Sequence, residues 1–328
     1  MATKYVDANA SGANDGSSWS DAYETWDDFD TWANASITAG DIVYIKPGAY
    51  TASGTFSHLA TDGNSTSPIK LIGVESDGTT WATGDNRPAI SFGNYSFGTG
   101  GYWQLFNLQF SGAGTSYTVA MDSYPYQNFA SNCKFENTNS GDGIQNAGIL
   151  TNCECISTSG YAIDTGSGVC AYACYIHDSS TGIYIDAAES CFMNCIIDSC
   201  TTGINCTDEY RVRFCNNTIY GCTDGIIGTT SYQGYFLNNT ISNNSGWGWK
   251  FDNSGTVIAS TVFDYNNWYS NTSGDMTWDN GSTEDNSAKG PNALAVNPNF
   301  NNAAAGDFSL QSSSNLIDAG MSMTLGVG

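Results

Sequence analysis

Basic residues are scarce in this chain: nine Lys and Arg stand against 32 Asp and Glu over 328 residues, a formal net charge of −23. A nucleic-acid binder needs a basic face to release phosphate counterions, so nucleic acid is excluded as a partner. Acidic polysaccharides are repelled by the same charge unless a metal ion or a local group of cations intervenes. Histidine is scarcer still. Only His58 and His177 are present, which leaves carboxylates as the main supply of general bases and offers no zinc-finger spacing. No apolar run is long enough to span a bilayer, so membrane insertion is not expected. The opening Met1-Ala-Thr-Lys-Tyr-Val-Asp7 has no apolar core of the kind a signal peptide requires. Sequence able to form an amphipathic helix occurs once only. Phosphate loops, nucleophile elbows and the His-Glu-x-x-His pattern do not occur.

What the chain does contain is a repeat. Cys133-Lys-Phe, Cys153-Glu-Cys, Cys174-Tyr-Ile, Cys195-Ile-Ile, Asn217-Thr-Ile, Asn239-Thr-Ile and Thr261-Val-Phe start 20, 21, 21, 22, 22 and 22 residues apart. An Asn precedes most of them (Asn132, Asn152, Asn194, Asn216, Asn238), and about ten residues later a Gly stands at or near an Ile. That second column runs through Gly143-Ile144, Ile163, Gly182-Ile183, Gly203-Ile204, Gly225-Ile226 and Gly246-Trp247. A period near 21 with β-branched and small residues, and Gly or Asn at the corners, predicts a parallel β-solenoid. The Leu-x-x-Leu-x-Leu frame of a leucine-rich repeat is missing. Equivalent residues of successive turns then stack about 4.8 Å apart, and each inward position must suit a copy of itself. Strand alternation sends Cys133 and Phe135 inward and Lys134 outward, and the same parity sends Glu154, Tyr175, Ile196, Thr218 and Thr240 outward.

These columns resemble a known superfamily. The Asn and Gly-Ile corners, the opening Lys4-Tyr5-Val6-Asp7-Ala8-Asn9, the segment Gly40-Asp41-Ile42-Val43-Tyr44-Ile45-Lys46-Pro47-Gly48 and the closing Leu316-Ile317-Asp318-Ala319-Gly320 resemble the right-handed parallel β-helix proteins of the pectate-lyase-like superfamily. The resemblance implies an all-β, single-stranded right-handed parallel β-helix of about 20 to 22 residues per turn, with an N-terminal capping helix. It implies no single activity, because that superfamily holds lyases, hydrolases, epimerases, bacterial surface proteins and phage tailspikes.

In chain order, residues 1–38 are read as an N-terminal strand and cap. Trp19, Tyr23, Trp26, Phe29 and Ala33 recur at three- and four-residue spacing, which predicts a helix with Ser18 or Ser20 as its cap. Residues 39–269 are the coil, and residues 270–328 are a C-terminal loop with the last turns around Phe300 and Phe308–Leu310. Eleven cysteines, an odd number, are expected to form a ladder of buried thiols; one or two disulfides, such as Cys170 with Cys191 or Cys200 with Cys222, are the alternative. The Asn-x-Thr triplets at Asn216 and Asn238 match a glycosylation pattern but fall on the ladder, and are read as structural.

Two candidate sites follow. Asp164, Asp186 and Asp208-Glu209 come after the second column, with Arg211 and Arg213 close behind. Spacings of 22 residues would bring the carboxylates to neighbouring turns, where they would repel, raise a pKa or bind a cation. Asp186, Asp208, Arg211 and Arg213 are therefore the catalytic candidates, and Asp164, Asp186 and Asp208 the ligands for calcium, the one cofactor considered. Tyr175, Tyr184, Glu209, Trp247 and Trp249 are the sugar-contacting candidates. His177-Asp178, beside Asp198 on the next turn, is the second site. The leading expectation is a non-enzymatic β-helix at a virion or extracellular surface, binding glycan or neighbouring protein chains. Its alternative is a polysaccharide lyase or glycoside hydrolase. A homotrimer is compatible with the tailspikes the chain resembles, although it has no coiled coil to hold one.

Overall fold

The structure, a computed structural model, describes the chain except residues 59–60, 122–126, 167, 187–188, 207–210, 229–233, 252–260, 278–280, 282, 288 and 322–328. It divides into two compact units, Met1–Tyr184 and Ile185–Gly328. Each is a parallel β-solenoid in which one turn contributes a short strand to each of three sheets.

In the first unit one such turn is Trp103–Phe106, Gln109–Gly112 and Tyr117–Met121. The first sheet runs from Thr3–Val6 through Ile42–Ile45, Ile69–Gly73 and Trp103–Phe106 to Val169–Tyr172; the second holds Ala89–Ser91, Gln109–Gly112, Lys134–Asn137, Glu154–Ser157 and Tyr175–His177. Pairing is parallel and in register, with Lys134 between Gln109 and Glu154, and Glu154 beside Tyr175. Parity is as expected. Cys133 and Phe135 are buried, and Lys134, Glu154 and Tyr175 are half-exposed.

The Asn column has a backbone cause. Asn107, Asn132 and Asn152, at the corner between first and second sheets, have φ of 56, 53 and 51°, and Asn194, Asn216 and Asn238 repeat this in the second unit at 56, 59 and 58°. Asn is the non-glycine residue that enters the left-handed region most cheaply. Ala173, at 53°, fills the gap in the column.

In the second unit like lies over like. Phe192, Phe214, Phe236 and Phe263 form a continuous stack with centroids 5.2, 5.1 and 5.0 Å apart. Beside it runs a ladder of buried amides. Asn217 Nδ2 donates to Asn239 Oδ1 (3.0 Å) and Asn239 Nδ2 to Asn266 Oδ1 (3.0 Å), while the Cys195 N–H is received by Asn217 Oδ1 at 2.8 Å. The ladder is thus built by the second Asn of Asn216-Asn217 and of Asn238-Asn239, and continues to Asn266, the residue after Tyr265. A parallel column runs through Cys222, Asn244 and Asn271. All eleven cysteines are free thiols, nine of them buried.

Three expectations need correction. The helix is Trp26–Ser36, capped by Thr25 and not by Ser18 or Ser20; it buries Trp26, Phe29 and Ala33, while Trp19 and Tyr23 lie before it. The segment before it is a loop in which the Asp21 carboxylate accepts from the Ala13 N–H and the Ser18 hydroxyl. The stripe does act as a lid, with Trp26 and Phe29 against Phe56 at 5.6 and 5.8 Å. In the second column Trp249, not Trp247, stands over Ile226, because Gly248 and not Gly246 sits behind the Gly225 backbone. Finally, Phe300–Asn302 and Asp307–Leu310 are not turns of the coil but an antiparallel pair in a sheet of their own. Phe300 and Phe308 pack edge-on against Tyr220, at 5.9 and 5.3 Å.

Candidate functional site

Cations, rare in the chain, converge on one carboxylate in the first unit. Glu154 Oε1 is 3.4 Å from Lys134 Nζ and 3.4 Å from His177 Nε2, and its Oε2 is 3.8 Å from Arg87 Nη2. Lys134 also pairs with Glu136 at 3.2 Å, and His177 Nδ1 with Asp178 at 2.8 Å. The second sheet supplies Lys134, Glu136, Glu154, Tyr175 and His177 from three successive strands. Arg87 arrives from the loop before Ala89–Ser91. Its Nε donates to the Gly84 carbonyl (2.9 Å) and its Nη1 to the Asn132 carbonyl (3.1 Å), so the guanidinium is fixed with only 11% of the side chain exposed. Tyr175 stacks on the His177 ring at 4.1 Å.

The same corner carries an aromatic platform. Asn132 Nδ2 donates to the Ala82 carbonyl at 3.4 Å, which holds the loop that bears Trp81. That indole is 52% exposed and rests on Phe106 at 5.3 Å, and Phe106 in turn meets Phe129 at 5.6 Å. An exposed indole beside clustered cations offers a stacking face and anion-binding groups together.

The charges hold one another. The His177 hydrogen bond, opposed by burial and helped by Lys134, pulls the Glu154 carboxyl down to about 2. Burial by itself would lower Lys134, but Glu154 and Glu136 outweigh it and raise the ammonium pKa. His177 follows the same pattern, burial being outweighed by Glu154 and Asp178. At neutral pH Lys134 therefore presents charge and does not accept a proton.

The linkage to stability has a definite sign. Glu154 is depressed, so its contribution is complete above its ordinary 4.5 and lost as the pH falls toward about 2. His177 is raised, so its contribution is complete below its ordinary 6.5 and lost as the pH rises past its shifted value. The expected outcome is that the melting-temperature advantage of the wild type over Glu154→Gln shrinks from pH 4.5 to about 2, and shrinks again on the alkaline side. Thermal melts of both proteins across that range check this; a constant difference contradicts it.

The residues singled out in the sequence behave differently. Asp164 is buried and accepts from Gln145 Nε2 (2.7 Å) and the Gly166 N–H (3.1 Å). Its partner in register is Tyr184, so the 22-residue ladder from Asp164 to Asp186 does not form. Asp186 is exposed. Arg211 is exposed and pairs with Glu189 at 2.9 Å, and Arg213 points outward between Cys191 and Tyr235. Asp208 and Glu209 lie outside the described residues. Among the described residues no three of His, Cys, Asp and Glu are grouped as metal ligands. Tyr184 stacks on Tyr161 at 4.3 Å, Tyr175 belongs to the Glu154 cluster, and Trp247 is half-buried. Trp249 is corrected outright: it is 1% exposed and faces the core, where no sugar can reach it. Parity places Lys134, Glu154 and Tyr175 outward, and His177-Asp178 stands out in the sequence as a pair. Arg87 left no such signal, because 45 residues separate it from the Asn132 carbonyl that holds it.

Comparison with known proteins agrees on architecture. Pectate lyase Pel9A is similar over 99% of this chain and 93% of its own, at 16% identity and a TM-score of 0.62. An alginate lyase of polysaccharide lyase family 6, AlyGC, is similar over 83% of this chain and 46% of its own, at 13% identity and a TM-score of 0.51. No curated protein sequence matches. At such identities the likeness is one of fold. The sequence profile of the right-handed β-helix region matches residues 122–290, just over half the chain, and with the three-sheet coil described above it places this protein in the right-handed β-helix family.

Proposed function

We propose that the protein is an extracellular or virion-surface β-helix that binds an acidic polysaccharide at the Arg87–Lys134–His177 strip. The observation that carries this reading is the convergence of three cations on Glu154 in a chain of net charge −23. The three cations are matched by Glu154, Glu136 and Asp178, so an acidic glycan gains at this strip by taking the place of one of those carboxylates, a requirement that is itself a source of specificity. A uronate carboxylate can replace Glu136 beside Lys134 or Asp178 beside His177, both of which sit at the edge of the cluster. Trp81 then supplies a stacking face for the ring. The raised Lys134 favours binding over proton abstraction.

A second reading, β-elimination, is favoured by one detail. Lys134 Nζ and His177 Nε2 both lie 3.4 Å from the same oxygen of Glu154, so two proton-transfer groups flank one point. In that reading His177, neutral above its raised pKa, takes the proton α to the uronate carboxylate, the C4–O4 bond breaks and the charged Lys134 protonates the departing oxygen. The fold shared with pectate lyase Pel9A is compatible with it.

One experiment addresses both. Calorimetric titration with polygalacturonate and with alginate is expected to show binding that weakens with added salt. Arg87→Gln with Lys134→Gln is expected to reduce affinity about ten- to a hundredfold, as for loss of two charged hydrogen-bonding partners. Ultraviolet absorbance of unsaturated ends is expected to stay flat. Rising absorbance that the double variant abolishes selects elimination, and wild-type protein that binds neither polymer removes both readings.

A further inference from the structure

The second unit contains a cleft of different chemistry. Leu294 bridges to Asn267 at the end of the second sheet, and Asn267 clamps Val296 through both its amide atoms (3.0 and 3.0 Å). The chain then turns back over the outer face of the strands Thr218–Tyr220, Thr240–Ser242 and Asn267–Tyr269. Between this returning segment and the sheet lies a space of about 330 Å³, lined by Tyr220, Asn243, Tyr269, Asn297, Asn299 and Gln311 among others. No Asp, Glu, Lys, Arg or His contributes to its walls.

Tyr220, Ser242 and Tyr269 stand in register on successive strands. The two phenol rings therefore spring from points two turns apart, about 10 Å, with a small residue between. Ser242 itself is fully buried and does not line the space. Tyr220 is braced edge-on by Phe300 and Phe308. The amide-bearing walls are also rigid. Asn243 and Asn299 have φ of 58 and 51°, and Asn299 is held from both sides, its N–H by Asn297 Oδ1 and its carbonyl by the Gln311 N–H. Gln311 Nε2 donates to the Phe300 carbonyl at 3.0 Å, which fixes its amide and leaves Oε1 as an acceptor.

We propose that this cleft is a binding site for an uncharged pyranose residue. Phenol rings suit the C–H face of a sugar, and neutral amides and hydroxyls suit its alternating donors and acceptors. The volume is at the low end of the roughly 300–1,000 Å³ of small-molecule sites, which limits the occupant to one or two rings. A uronate finds no cation here, so the ligand class differs from that of the Glu154 strip and the site stands whether or not that strip binds.

The test is saturation-transfer NMR on the full chain with chitotetraose, mannotetraose and galactotetraose as probes. The expected result is transfer to at least one of them, with affinity reduced roughly five- to tenfold by Tyr269→Ala and by Gln311→Ala, as for loss of a stacking face or of one hydrogen bond. Arg87→Gln with Lys134→Gln is expected to leave that transfer intact. Gln311 is exposed, so its variant decides the matter if Tyr269→Ala lowers the melting temperature. No transfer to any of the three probes, or transfer unchanged in both variants, overturns the proposal.

Discussion

Replacing Asn239 by leucine is expected to destabilise the protein by about 2–6 kcal/mol, because its side chain makes four buried hydrogen bonds at about 0.5–1.5 kcal/mol each. Asn239 Oδ1 accepts from both the N–H and the Nδ2 of Asn217, at 2.9 and 3.0 Å, and Asn239 Nδ2 donates to the Phe214 carbonyl at 2.9 Å and to Asn266 Oδ1 at 3.0 Å. Leucine keeps the branched skeleton but is bulkier and satisfies none of them. Water cannot substitute, since Asn217 and Asn239 are 1% and 2% exposed. The neighbouring Asn216 makes the control. It is exposed at a φ of 59°, a conformation glycine adopts freely, so Asn216→Gly is expected to stay within about 0.5 kcal/mol. Urea unfolding of the three proteins separates the two roles. An Asn239→Leu midpoint close to wild type would show that the ladder is not what holds these turns.

Trp249→Ala is expected to cost about 3–5 kcal/mol, the usual range for emptying a large buried aromatic site. The indole lies edge-on to Phe236 and Phe263 at 4.6 and 4.9 Å and stacks with Phe251 at 5.2 Å, so the void opens at the end of the phenylalanine column. Its Nε1 has no partner; Trp249→Phe therefore loses volume but no hydrogen bond, and is expected to cost less than half as much. Neither change is expected to alter glycan affinity. A Trp249→Ala protein that melts normally but no longer binds sugar would return this residue to the ligand surface. Thermal melts and the titrations described above provide both readouts.

The two residues show how far local pattern reaches. Period, parity and corner chemistry were legible because a solenoid repeats its constraints every turn. Lys134, Glu154 and Tyr175 face out for the same reason that Cys133 and Phe135 face in. A two-residue ambiguity between Gly246-Trp247 and Gly248-Trp249 was enough to exchange a core residue for a surface one, since both dipeptides satisfy the pattern and only pairing with Ile226 distinguishes them. The step of the acidic column from Asp164 to Asp186 fails for a related reason. Equal spacing brings residues together only if the turns between them have equal length, and register sets Tyr184 over Asp164.

From composition and repeat alone came the coiled parallel architecture and the buried thiols, because each depends on a residue's own chemistry and its neighbours one turn away. Which carboxylate gathers the cations, and that the C-terminal segment folds back over the sheet instead of extending it, depended on contacts across 45 and 83 residues. Separations of that length carry no periodic trace, so only the folded chain could decide them.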